Sequence, residues 1–151
     1  MTVHQLLLQY RQLYRRRQKK LERYLRLSER AAAPRSAGAL NKIPTKKKDP
    51  HAHEELIIKA AEALDEFYKI DNLYYQLDEL MKKAFRQMPP GEGSALECVY
   101  KENALRKSTD QFTGVCRRLD LRKKTEIPAA MRKCESDLAD ALRKMGVSLD
   151  D

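Results

Sequence analysis

Along most of this chain, hydrophobic and polar positions follow the three-to-four spacing of an α-helix, not the every-other spacing of a strand. Val3, Leu6, Leu7, Tyr10, Leu13 and Tyr14 begin an apolar stripe. Arg15-Arg16-Arg17-Gln18-Lys19-Lys20 interrupts it, and it resumes at Leu21, Tyr24, Leu25 and Ala31. Arg, Lys and Gln favour helix, so the pattern predicts one helix to about residue 33 that continues through the interruption. Six consecutive polar residues cannot be buried, so the middle of this helix faces solvent or a negative surface.

The strongest pattern starts at Asp49-Pro50, where Asp suits the N-cap and Pro the first helical position. Nothing breaks the helix from there to Met88, a length of about 57 Å at 1.5 Å per residue. Ala60, Phe67, Tyr74, Met81 and Met88 recur every seventh residue, interleaved with Leu56, Ala63, Ile70, Leu77 and Ala84. These are the two core positions of a coiled-coil seam. Ile57, Leu64 and Phe85 widen the stripe on one side and Leu73 and Leu80 on the other, which suits a bundle with more than one neighbour.

Pro89-Pro90-Gly91-Glu92-Gly93 ends that helix, and Ser94 with Glu97 reads as a capping box for the next. The third helix, expected over 95–121, repeats Cys98, Leu105, Phe112 and Leu119, with Val115 and Cys116 beside them; Ser108, Thr109 and Gly114 weaken its middle. The last helix, over 128–145, aligns Met131, Cys134, Leu138, Leu142 and Met145 on one face and stops at Gly146.

The expected fold is therefore all-α: an elongated antiparallel hairpin or three-helix bundle with coiled-coil character. A basic amphipathic arm (1–33) precedes a flexible Pro/Lys linker (34–49), a helical body (50–146) and an acidic tail (147–151). With 151 residues, no Trp, 5 Gly and 6 Pro, the composition agrees with this and disfavours sandwiches and barrels. No apolar run approaches the roughly 18 residues of a membrane span, so no integral insertion is expected.

Charge changes the picture more than composition does. The net charge is +9, but residues 1–50 carry fourteen Lys/Arg against three acids, while the remainder is close to balanced. The basic positions Arg15, Arg16, Arg17, Lys19, Lys20, Arg23, Lys46, Lys47 and Lys48 form the candidate contact for RNA or DNA phosphates or for an acidic protein surface. The competing reading pairs them with Glu54, Glu55, Glu62, Asp65, Glu66, Asp71, Asp78 and Glu79, a run of acids read as the wet face of the long helix.

Candidate chemistry is sparse. The chain carries no phosphate-binding glycine loop, zinc-protease motif or nucleophile elbow. The three cysteines (Cys98, Cys116, Cys134) are odd in number, lack CxxC spacing and read as buried reduced thiols. His51 and His53 are two apart and cannot converge on one metal, and His51 with Glu55 offers two ligands only. No catalytic, metal or cofactor residues are expected.

Leu13-Tyr14-Arg15, with an aromatic at Tyr24, resembles the tripeptide of the mitochondrial LYR-motif family, small basic helical adaptors. The resemblance implies binding to acyl carrier protein. The chain departs from that family where Arg16-Arg17-Gln18-Lys19-Lys20 follows the motif in place of apolar residues.

The functional expectation is a non-enzymatic scaffold or adaptor subunit of a protein or ribonucleoprotein assembly. It binds another helical subunit through Phe67, Ile70, Tyr74, Leu77 and Met81, and a nucleic-acid or acidic surface through the arm. The alternatives are a nucleic-acid-binding protein acting through residues 11–48 and the LYR-like adaptor. The basic clusters favour a nuclear or nucleolar location; the acid-free first 21 residues keep the mitochondrial matrix as the alternative.

Overall fold

The computed structural model describes residues 1–32, 51–102 and 111–150, which hold five α-helices and no strand. The helices are α1 (Val3–Ala32), α2 (Ala52–Arg86), α3 (Glu92–Tyr100), α4 (Gln111–Leu119) and α5 (Ile127–Lys144), the last entered from a short 3-10 turn (Lys124–Glu126). The all-α expectation holds. The expected linker 34–49 with Lys46, Lys47 and Lys48, the Asp49-Pro50 helix start, Leu105, Ser108, Thr109 and the side chain of Phe112 lie outside the described residues.

Local chemistry sets the helix ends. At the start of α1 the Gln5 amide donates to Thr2 Oγ1 (3.2 Å) while the Thr2 amide donates to Gln5 Oε1 (2.9 Å), a reciprocal capping box. At the end of α5, Gly146 takes φ +89°, its amide donates to the Arg143 carbonyl, and the Val147 amide donates to the Leu142 carbonyl, both at 3.0 Å. This left-handed cap satisfies carbonyls that the helix leaves open, as the position of Gly146 predicts. The box expected at Ser94 and Glu97 does not form. Helix α3 starts three residues earlier, behind Gly91 at φ +88°, and has no side-chain cap. Any Cβ at Gly91 would lie 2.4 Å from the Arg118 carbonyl oxygen, so that backbone contact claims the turn. Ser94 Oγ instead accepts from Arg118 Nε at 2.9 Å. The single third helix expected over 95–121 is divided as well, since α3 ends at Tyr100.

The residues sort into two compact units, one of Met1–Arg15 with Asn72–Asp151, the other of Arg16–Asp71. The first unit has a continuous core. Leu6, Leu7, Tyr10 and Leu13 of α1 enter it with Tyr74, Met81 and Ala84 of α2, Leu96 and Tyr100 of α3, and Cys134, Leu138 and Leu142 of α5. A smaller cluster, Ala95, Cys98, Val115 and Ile127, lies where α4 packs. The expected division into a basic arm apart from a body is therefore not the one the packing makes. The stripe that precedes Arg15 is apolar enough to be core, so α1 begins inside the first unit and only its later part is basic and outside that core. The tail is not simply acidic either: Val147 and Leu149 pack against the same core.

Burying an aliphatic side chain in a close-packed interior stabilises mainly through area removed from water and contacts that a truncation leaves unfilled. Leu138 is fully buried whereas Leu73 is 54% exposed. Leu138→Ala is expected to lower the unfolding free energy by about 2–5 kcal/mol and Leu73→Ala by less than about 0.5 kcal/mol, measured by urea denaturation of the full chain.

Candidate functional site

The second unit joins the later part of α1 to the first part of α2. Its polar run finds partners across the hairpin. Arg17 Nε donates to Asp71 Oδ1 at 2.5 Å, and Lys20 Nζ (2.8 Å) and Arg23 Nη1 (3.2 Å) share Glu66 Oε2. The Lys20 ammonium, helped by Arg23, holds the Glu66 carboxyl below the usual carboxylate range. Three of the residues singled out as a polyanion contact are thus committed to the acids of α2, as the pairing alternative expects.

The others are not. Arg16, Lys19, Arg26 and Arg30 are exposed, and with Arg23 they step along α1 at intervals of three and four. That spacing lays five cations in one stripe about 21 Å long. Arg15 is exposed beside it. Arg23, Arg26, Leu27 and Arg30 also form, with Lys59 of α2, a shallow groove of about 240 Å³. Glu55 and Glu62 of α2 are exposed too, so the cations crowd onto α1 and the acids onto α2.

The apolar ridge expected to receive a partner is occupied by the chain itself. Met81 is fully buried, Tyr74 and Phe67 are buried, and Ile70 and Leu77 are half-buried. Tyr74 and Met81 are core members with Leu7 and Tyr10 of α1, and Leu77 packs on that cluster. In the second unit the Arg17 guanidinium lies 5.5 Å from the Phe67 ring centroid and covers it. The expectation of an open ridge fails because the stripe at the start of α1, assigned to an arm, is the surface that closes it. What stays open is a neighbouring flank: Leu25, Ile57, Ile58 and Tyr68 are each about half exposed. The widening of the stripe at Ile57 and Leu64 was the sequence signal for it.

The tripeptide Leu13-Tyr14-Arg15 is divided by the same packing. Leu13 is core, and Tyr14 stands 5.7 Å from the Tyr74 ring with Lys101 Nζ 5.6 Å from its centroid.

No family model, curated protein or solved structure matches this chain.

The first unit holds a polar cluster that sequence patterning misplaced. Asp78, expected on the wet face of α2, is only 5% exposed. Its Oδ1 accepts from Tyr10 Oη at 2.5 Å and from Tyr74 Oη at 3.4 Å, and has Lys101 Nζ at 3.6 Å. Lys82 Nζ reaches Oδ2 at 3.0 Å. Burial works against the charged carboxylate, but the Tyr10 hydroxyl and the two ammonium groups outweigh it and hold Asp78 below its ordinary range. Burial, then the hydrogen bond to Asp78, drives the Tyr10 phenol far upward, so it remains a donor. The Tyr10 and Tyr74 rings stack at 5.9 Å, and Lys101 lies 5.4 Å from the Tyr74 ring. Every polar atom here is engaged with a neighbour in the fold, which makes the cluster a clamp.

A second buried carboxyl has the opposite character. Glu92 is raised to about 7, first by burial and then by the neighbouring Asp137 carboxyl. Glu92 Oε2 and Asp137 Oδ2 are buried without a donor, and Lys133 Nζ stands 3.6 Å from Glu92 Oε1. The raised Glu92 carboxyl, when it carries its proton, places no second full charge beside Asp137. Beside them, burial and the same two acids push the Cys134 thiol up to about 11, which disfavours the thiolate. None of the three cysteines is in a disulfide, and Cys98 and Cys134 are buried. His51 Nδ1 lies 3.3 Å from Glu54. Among the described residues no three His, Cys, Asp or Glu side chains converge on one point.

The two carboxyls give opposite pH dependences. The contribution of Asp78, whose folded value is depressed, is present above its unfolded value of 3.8 and lost as pH falls through the folded value. The contribution of Glu92, whose folded value is raised, is full below 4.5 and lost as pH rises through about 7. Glu92→Gln is expected to flatten the decline in thermal midpoint between pH 5 and about 8 seen for the parent. Asp78→Ala is expected to lower stability at neutral pH by about 3–5 kcal/mol in urea denaturation, because it leaves two phenols and a half-buried ammonium without their anion.

Proposed function

We infer that this protein is a non-enzymatic helical adaptor that holds a nucleic-acid phosphate backbone on the outer stripe of α1. In this reading it is a subunit of a larger, nuclear ribonucleoprotein assembly, and its helical bundle, with coiled-coil character in α2, is the scaffold that presents the stripe. The observation that carries the reading is the sorting of the basic residues. Arg17, Lys20 and Arg23 are spent on Asp71 and Glu66, whereas Arg16, Lys19, Arg26 and Arg30 point outward on the same helix with no ion-pair partner among the described residues.

Cations arranged this way cost little to desolvate and gain from counterion release when a polyanion lies along them. Arginine predominates, and its planar fork can meet phosphate oxygens through two parallel hydrogen bonds. A flexible or single-stranded backbone can adjust its phosphate spacing to a stripe of cations along one helix.

The test is fluorescence anisotropy of the full chain with a labelled 20-nucleotide RNA and a duplex DNA across a salt series. Binding is expected to weaken steeply with salt. The variant carrying Arg16→Ala, Lys19→Ala, Arg26→Ala and Arg30→Ala is expected to lose at least about tenfold in affinity, with a shallower slope by about 0.7–0.9 per phosphate contact removed. A salt-independent affinity, or a variant that binds like the parent, removes the nucleic-acid reading.

A further inference from the structure

The same hairpin of the second unit carries a second groove that shares no lining residue with the basic one. It is about 350 Å³ and is formed by Tyr24, Ala31 and their neighbours on α1 and by Ile57, Ala61 and Leu64 on α2. Its floor is small and apolar: alanines contribute from both helices, so another backbone can approach closely. Ile57 of its lining is 50% exposed, and Leu25 (48%), Ile58 (57%) and Tyr68 (52%) are exposed on the same two helices. Neighbouring exposed hydrophobic residues that line a groove mark a contact surface more than isolated ones do.

Charge beside this groove is mainly negative. Helical spacing puts Glu22 and Glu29 either side of Leu25 on α1, at minus three and plus four, and Glu54 and Asp65 either side of Ile58 and Ala61 on α2. All four are exposed. Glu54 has His51 nearby at 3.3 Å, while Glu22, Glu29 and Asp65 have no ion-pair partner among the described residues. Among the described cations of this unit, Lys69 stands one turn beyond Asp65, and the rest lie on α1 from Arg16 to Arg30 and at Lys59. The groove is thus an apolar channel between two acidic rims.

We propose that this channel binds an amphipathic α-helix of another protein, one whose apolar stripe is flanked by lysines and arginines, completing a three-helix bundle in the second unit. Two helices leave an apolar flank that a third fills, with its apolar side chains seated over the alanines in the manner of helix-in-groove recognition. The rims select the occupant. A helix flanked by acids places like charges against Glu22, Glu29, Glu54 and Asp65, and a helix flanked by bases meets opposite ones. This inference does not rest on the nucleic-acid reading, because it uses the other face of both helices.

The test uses the full chain and two designed 21-residue helical peptides with the same leucine and isoleucine stripe, one with lysine flanks and one with glutamate flanks. Binding is read by anisotropy of the labelled peptides. The lysine-flanked peptide is expected to bind at least about tenfold more tightly than the glutamate-flanked one, a difference that shrinks with salt. Ala61→Arg, at an exposed position on the groove floor, is expected to lower that affinity at least about tenfold while leaving RNA binding and the thermal midpoint unchanged. Glu22→Lys with Asp65→Lys is expected to reverse the peptide preference.

Equal binding of the two peptides, binding of neither, or indifference to Ala61→Arg overturns the proposal. So does concentration-dependent self-association, seen by sedimentation and abolished by Ala61→Arg, since the occupant is then a second copy. Loss of RNA binding in the α1 stripe variant with peptide binding intact separates the two sites.

Discussion

The carboxylate of Asp78 is the constraint around which the first unit is assembled. A charge so deeply placed is tolerated only when donors surround it, and they come from three parts of the chain: Tyr10 from α1, Tyr74 and Lys82 from α2, and Lys101 just after α3. Each donor is fixed in turn. Tyr10 is buried among leucines of its own helix, Tyr74 stacks on it, and Lys101 lies against the rings of Tyr74 and Tyr14. Moving α1 by one turn would keep an apolar stripe against α2 but would leave the carboxylate without its shortest hydrogen bond. Hydrophobic burial supplies the stabilisation of this unit, and Asp78 sets its register.

Much of the architecture is legible in the residues one after another. Helical periodicity and good helix formers mark α1, α2 and α5 within a few positions of their ends, and Gly146 marks its cap, because these are local matters. What is not legible depends on residues far apart. Asp78 reads as part of the solvated face because a charged residue beside another charged residue is normally exposed, and its phenolic partner lies 68 positions away. The ridge at Tyr74 and Met81 reads as open because the stripe that closes it belongs to a helix conspicuous for its arginines. Thr2 and Gln5 carry a capping signature that is plain once their order is noticed. At Gly91 the close approach of Arg118 overrode the better cap at Ser94.

The basic residues show why charge counts mislead. Neighbours on one helix have different fates: Lys20 shares a carboxylate with Arg23, while Lys19, one position earlier, faces outward. The 100° turn between adjacent residues decides this, and composition alone hides it. The second unit consequently separates its charge by face, with cations along one side of α1, acids beside the apolar channel, and paired groups between them. Among the described residues its buried side chains, Ala60, Ala63 and Phe67, are mostly small, and the aliphatic stems of long polar side chains supplement them, as Arg17 does over Phe67.

The two units differ in how much of the chain each must wait for. Every residue of the second lies at or before Asp71, so its ion pairs and its ring contact can form while later segments are still being synthesised. The core of the first needs Leu6 and Leu7 together with Leu138 and Leu142, which emerge from the ribosome much later. Until then the leading leucines and Tyr10 stay exposed on a nascent helix, an interval in which a holding chaperone has its natural substrate.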